Sequence, residues 1–272
     1  MKKIAILPTL LTLGNAACGF AAIASASQIS GNEEIARSYF ALSGWLIIGA
    51  MLFDALDGYV ARLSRTASRF GGELDSLCDG ISFGAAPAFV LLRMGPGSER
   101  NALLHQLLAG VATLYLICAL LRLARFNVEN APEAANQKRF RGLPSPGAAG
   151  CIASLAILRG EMGMSWSALD TALVRQAIEV WALLGALTVS LLMVSRIPYP
   201  HVTKQILRGR RHFTHLVQII IAGFIIMLAR QVSLVLLFWL YALGIPLRYG
   251  IVRSLRPDVR PAPAGVDDFI SR

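Results

Sequence analysis

The sequence predicts an all-α fold, a polytopic bundle of membrane-spanning helices. Three observations lead there. The 272-residue chain is 55% hydrophobic and only 15% charged, whereas a soluble domain carries about a quarter of its residues as charges. The apolar residues come in blocks close to the length a transmembrane helix needs, about 20 residues. The basic residues gather on one side once those blocks are threaded back and forth through a bilayer.

Eight candidate spans are legible, at about 8–27, 38–60, 75–93, 102–121, 145–159, 177–195, 214–230 and 232–252. The fifth is short and the last two are nearly continuous, so the count lies between six and eight. The opening segment, basic at Lys2 and Lys3 and ending in Ala24, Ser25 and Ala26, also has the outline of a signal peptide. Pro8 and Asn15 interrupt its apolar run and favour a first membrane helix. Short outer loops are expected at 28–36 and 160–176, the second with room for an interfacial helix near Trp166.

The formal net charge is +10, which in a soluble protein would point to nucleic acid. Here it tracks topology. With the N-terminus inside and eight spans, 20 of the 26 Lys and Arg residues fall on the cytoplasmic side, as the positive-inside rule requires. No nucleic-acid partner is expected. The basic ends suit anionic membrane lipids instead. The four cysteines (Cys18, Cys78, Cys118 and Cys151) lie within apolar segments without a Cys-x-x-Cys pair and read as small buried residues.

One run stands out against this background. Asp54, Asp57, Asp75 and Asp79 recur at helical spacing, three apart in the first pair and four apart in the second. Each pair therefore shares a helix face. The first pair ends one apolar segment and the second begins the next, so both reach one membrane depth on the cytoplasmic side. Bare carboxylates at a bilayer mark function, and four together repel without cations. A site for two hard divalent cations with oxygen ligands, Mg2+ or Mn2+, accounts for them. Gly58, Ala61, Gly71 and Gly72 leave the helix surfaces nearly bare there, so a ligand can approach closely. Arg62 offers a planar donor suited to phosphate.

The full pattern is D-x2-D-G-x2-A-R-x8-G-x3-D-x3-D, eight specified residues over twenty-six positions. It resembles the signature of the CDP-alcohol phosphotransferase family at every fixed position. The resemblance implies six family-core helices, with about two C-terminal helices added. That gives a core over 1–213, additional transmembrane helices over 214–253 and a disordered cytoplasmic tail over 254–272. It implies that a CDP-linked lipid donates its phosphatidyl group to an alcohol and that CMP leaves. By the same resemblance Asp54, Asp57 and Asp75 bind one metal, Asp75 and Asp79 a second, and Asp79 is the general base. Gly58, Arg62 and Ser68 match positions that contact the CDP-lipid. Ala61 and Gly71 match positions where a larger side chain would crowd the nucleotide. Members commonly form homodimers.

Further stretches narrow the acceptor. Thr9 to Phe20, Gly80 to Ala88, Arg122 to Asn127 and Phe140 to Pro146 resemble the phosphatidylserine synthase branch, over about residues 8–210. Thr9 stands where that branch usually has Asn, and Cys78 where Ala is common. This branch implies CDP-diacylglycerol as donor, L-serine as acceptor and a bacterial inner membrane with the site facing the cytoplasm. Serine carries a carboxylate, so its site needs a cation. Arg122, Arg125 and Arg141 are candidates for the acceptor or the diphosphate, with positive-inside anchoring as the alternative for each. Asn127 and Ser145 offer hydrogen bonds to the same substrate. Thr12 and Asn15 contact the CDP-lipid or bond between helices. Two other readings stay open at this level. One is the same reaction with glycerol phosphate or inositol phosphate as acceptor, and the other is a cation transporter, which would distribute its acids through the spans.

Overall fold

The computed structural model describes residues 6–29, 32–64, 68–95, 102–129, 142–165, 171–195, 197, 199 and 230–255. The elements in order are α1 (Ile6–Ser27), α2 (Glu33–Leu63), α3 (Arg69–Asp79), a π-helical segment (Gly80–Ala85), α4 (Ala86–Met94), α5 (Ala102–Glu129), α6 (Ser145–Ser165), α7 (Ala172–Val194) and α8 (Arg230–Leu255). Among the described residues there is no strand. The all-α prediction holds.

Local chemistry sets the helix starts. Asn32 caps α2, its side chain accepting from the backbone of Glu34 (3.1 Å) and Ile35 (3.3 Å). Glu33 and Glu34 then sit in the first turn, where negative charge complements the helix dipole. Ser68 caps α3 by accepting from Gly71 N at 3.0 Å. Thr171 caps α7 by accepting from Val174 N at 3.3 Å. These caps start helices earlier than the apolar blocks do. The expected outer loop at 28–36 is already helical from Glu33, and that at 160–176 is helical to Ser165 and again from Ala172. The polar stretch opening at Arg122 continues α5 to Glu129. An interfacial helix at Trp166 and a span at 214–230 lie outside the described residues, as does the tail from 256.

Six helical stretches are long and apolar enough to cross a membrane: Ile6–Ser27, Glu33–Leu63, Phe70–Met94, Ala102–Val128, Leu173–Val194 and Val232–Tyr249. Large apolar side chains such as Leu52, Leu121, Leu191 and Leu240 point outward from them. In a bilayer that surface meets lipid and needs no cover, because helices satisfy their own backbone groups. The protein is an integral membrane protein.

Helix α6 is less apolar and sits at the centre. Its Ala148, Ala149, Cys151, Ile152, Ala153, Ala156 and Ile157 are fully buried. It touches α2 closely: a Cβ added at Gly44 would lie 2.7 Å from Ala153 O, and one at Gly160 would lie 2.5 Å from Ala41 N. Such contacts are how membrane helices gain packing energy when lipid offers no hydrophobic drive. The end away from Arg62 is tied by ion pairs, with Arg159 on Glu179 at 3.4 Å, Arg37 on Glu33 at 3.4 Å, and Arg175 also on Glu33. Trp45 donates to the buried Glu161 at 2.9 Å.

Helices α3 and α4 are one rod interrupted by the π segment. A wide turn of this kind inserts an extra residue and is a frequent companion of functional sites. Here it is held on two sides. Ser82 Oγ donates to Asn15 O of α1 at 2.9 Å, and Tyr115 Oη of α5 donates to Phe83 O at 3.0 Å. Gly19 allows the first contact, since a Cβ there would stand 2.7 Å from Ser82 Cα.

Candidate active site

The C-terminal half of α2 and helix α3 bring their carboxylates together beside the N-terminal half of α1. There Asp54, Asp57 and Asp75 each turn a carboxylate oxygen inward, and these oxygens lie within 4.8 Å of one another. Asp57 is 5% exposed. Asp57 Oδ2 and Asp75 Oδ1 are buried without a hydrogen-bond partner. Orphaned carboxylate oxygens are costly, and three anions this close repel. A hard divalent cation removes both penalties, since it accepts several carboxylate oxygens at once. The donor set therefore fits such an ion, and all-oxygen ligation accepts Mg2+ and Mn2+ alike.

Asp79 stands one turn further along α3, outside the three-oxygen cluster. Its Oδ1 accepts from Asn15 Nδ2 at 3.0 Å. Asn15 is fully buried and its own Oδ1 has no donor. Of the two roles open to Asn15 in the sequence, the structure displays the interhelical hydrogen bond.

Beside the carboxylates lies a cavity of about 190 Å3. Thr12 enters it from α1, Asp57, Gly58 and Ala61 from α2, and Ser68, Gly71 and Asp75 from α3 or its cap. Five positions matched to CDP-lipid contacts (Thr12, Gly58, Ala61, Ser68 and Gly71) thus share one cleft with two of the acids. Thr12 Oγ1 donates to Pro8 O at 2.9 Å. Arg62 is exposed and folds back over Gly58, whose Cβ, if present, would be 3.5 Å from the guanidinium. Pro8, Thr9 and Gly72 complete the lining. Pro8 carried no chemical signal in the sequence, because a proline contributes shape alone.

The residues expected at the acceptor are partly gathered. Arg122 Nη1 donates to Ser145 Oγ at 2.6 Å, joining α5 to the first turn of α6. Ser145 is fully buried. Arg122 is also close enough to interact electrostatically with Asp79 and Asp54. Asn127 Oδ1 accepts from Ser76 Oγ at 2.8 Å, which ties α5 to α3 between the two acids. Ser76 was not legible as a site residue, since nothing in the spacing predicts its partner. Arg125 lies one turn along α5 from Arg122, away from the lining of the cleft. Arg141 lies outside the described residues.

A membrane helix bundle with clustered carboxylates beside a small-residue cleft is a class of site built for a charged substrate at the membrane surface. The family model described as CDP-alcohol phosphatidyltransferase matches residues 5–246, and the chain belongs to that family. Similar proteins carry one shared description. A Helicobacter pylori protein named CDP-diacylglycerol–serine O-phosphatidyltransferase is 30% identical over 205 residues, 75% of this chain and 76% of its own. A Mycobacterium leprae protein of the same name is 33% identical over 201 residues, 72% of this chain and 58% of its own. One from Methanocaldococcus jannaschii is 36% identical over 155 residues, 57% of this chain and 62% of its own.

Proposed function

We propose that the protein transfers the phosphatidyl group of CDP-diacylglycerol to the hydroxyl of L-serine, giving phosphatidylserine and CMP. The observation that carries this reading is the cleft, in which Asp57 and Asp75 of the carboxylate cluster share one space with the signature positions Gly58, Ala61 and Gly71. The names of the similar proteins support serine as acceptor. In the reaction, the serine hydroxyl oxygen forms a bond to the phosphorus that bears diacylglycerol. The bond from that phosphorus to the CMP oxygen breaks, and the hydroxyl proton passes to Asp79. Held by Asn15 at 3.0 Å, Asp79 keeps one oxygen engaged and the other available as the base. Asp54, Asp57 and Asp75 would hold one divalent cation, and Asp75 with Asp79 would hold a second. When bound, these ions neutralise the diphosphate and stabilise the leaving CMP. Gly58, Ala61, Ser68 and Gly71 admit the nucleotide, and Arg62 meets a phosphate.

The distribution of 20 of 26 basic residues supports a cytoplasmic active site in a bacterial inner membrane. Family resemblance supports a homodimer. The test is purified protein with CDP-diacylglycerol, Mn2+ or Mg2+ and a panel of alcohols, followed by lipid analysis. Serine-dependent CMP release with phosphatidylserine as product is expected. Transfer to glycerol phosphate or inositol phosphate in its place would overturn the acceptor, and no CMP release with any alcohol would overturn the reaction.

A further inference from the structure

Arg122 is under-used by the protein. A guanidinium has five N–H donors, yet among the described residues its one hydrogen bond is the 2.6 Å contact to Ser145. The group is part-buried and within electrostatic reach of Asp79 and of Tyr241. Tyr241 belongs to α8, a helix outside the aspartate signature. Its ring is placed from two directions. A Cβ at Gly147, two residues beyond Ser145, would lie 3.2 Å from Tyr241 Cε1. The Tyr199 ring packs on it at a centroid distance of 5.8 Å, and Tyr199 Oη donates to Ala242 O at 2.9 Å. The Tyr241 ring is thereby fixed against the first turn of α6, the turn that carries Ser145. Its hydroxyl forms no hydrogen bond among the described residues.

We infer that Tyr241 joins Arg122 and Ser145 in a subsite for the anionic group of the acceptor, the carboxylate of an amino-acid alcohol, and helps set acceptor selectivity. This rests on the serine reading above. The chemistry is complementary. A planar guanidinium holds a carboxylate through paired N–H bonds, and a phenol O–H donates to the same oxygens. In serine only two carbons separate the carboxylate from the hydroxyl, so its anion partner must stand close to the base. Arg122 is within electrostatic reach of Asp79. Helix α8 then has a part in choosing the substrate as well as in packing the bundle.

The test uses the full-length protein in lipid nanodiscs and compares wild type with Tyr241→Phe. Phenylalanine keeps the ring against Gly147 and Tyr199 and removes only the hydroxyl. The KM for serine should rise about tenfold, the range for losing one hydrogen bond to a charged group. The KM for CDP-diacylglycerol should stay within about twofold. An unchanged serine KM overturns the inference, and so does an equal rise in both KM values, which would mark general loosening. If wild type makes phosphatidylserine and the variant matches it, this inference alone fails. If wild type makes none, the serine reading fails and takes this one with it.

Discussion

Asp79 has one oxygen held by Asn15 and stands a turn away from the acid cluster. That placement suits it to a task beyond holding a cation, the one of general base. Asp79→Asn keeps the size of the side chain and an oxygen for Asn15, but removes the basic lone pair. Turnover should fall about 10²–10⁴-fold, the usual worth of a general base, while CDP-diacylglycerol binding persists. Near wild-type turnover would remove the role. Spacing alone found the four aspartates, because helical periodicity places them without reference to the rest of the chain. It could not reveal that Asn15 faces Asp79, sixty-four positions away in sequence. Nor could it show that Asn127 is engaged by Ser76. Such pairings depend on how helices cross, which one-dimensional patterns do not encode.

At the scale of elements, the contact of α2 with α6 is a tight constraint on the scaffold. Gly160 sits against backbone, Ala41 N and Arg37 O, at 2.5 and 2.6 Å from where a Cβ would stand. Backbone cannot rotate out of the way as a side chain can. Gly160→Val should therefore destabilise the protein by about 1–3 kcal/mol, seen as a lower unfolding temperature in detergent. The surviving folded fraction should keep its turnover, because the carboxylates lie at the opposite end of α2. A wild-type unfolding temperature would show that the crossing can relax. The sequence located most helices from apolar runs but set several ends short. Caps such as Asn32 and Ser68 act through hydrogen bonds, and hydropathy does not register them. Helix α6 was read as a short span because its apolar stretch ends at Arg159 and Glu161. Both remain helical, Arg159 paired with Glu179 and Glu161 taking the Trp45 indole.

For the whole molecule, the carboxylates of α2 and α3 stay near each other only if their repulsion is offset. Removing divalent ions with EDTA should abolish transfer, and Mg2+ or Mn2+ should restore it. Full activity after exhaustive chelation would contradict the cation site. The same treatment should lower the unfolding temperature of wild type, since an ion that binds the folded state stabilises it. The membrane class was legible in composition because bilayer thickness sets the block length directly. The placement of α8 was not, for Tyr241 looks like any aromatic residue in a packing stripe until Gly147 is seen against its ring.

The π segment between Asp79 and Ala86 gives the protein an angular adjustment. An α-helix advances about 100° per residue, so one extra residue in a regular turn would rotate everything before it relative to everything after it, and the wide turn takes up that residue while keeping the two ends in phase. The rod from Arg69 to Met94 thereby presents acids to α1 and α2 at one end and buries Val90, Leu91 and Met94 at the other. An alanine inserted after Ile81, which is 40% exposed, would be one residue more than the wide turn absorbs. The acids would then swing by roughly 100° and shift by about 1.5 Å. Transfer should be lost although every charged and polar group is still present, and deleting Ile81 from that variant should bring it back. Activity after the insertion alone would mean that the phase of this rod is free to drift. The enzyme's chemistry is then set by a residue count as much as by residue identity.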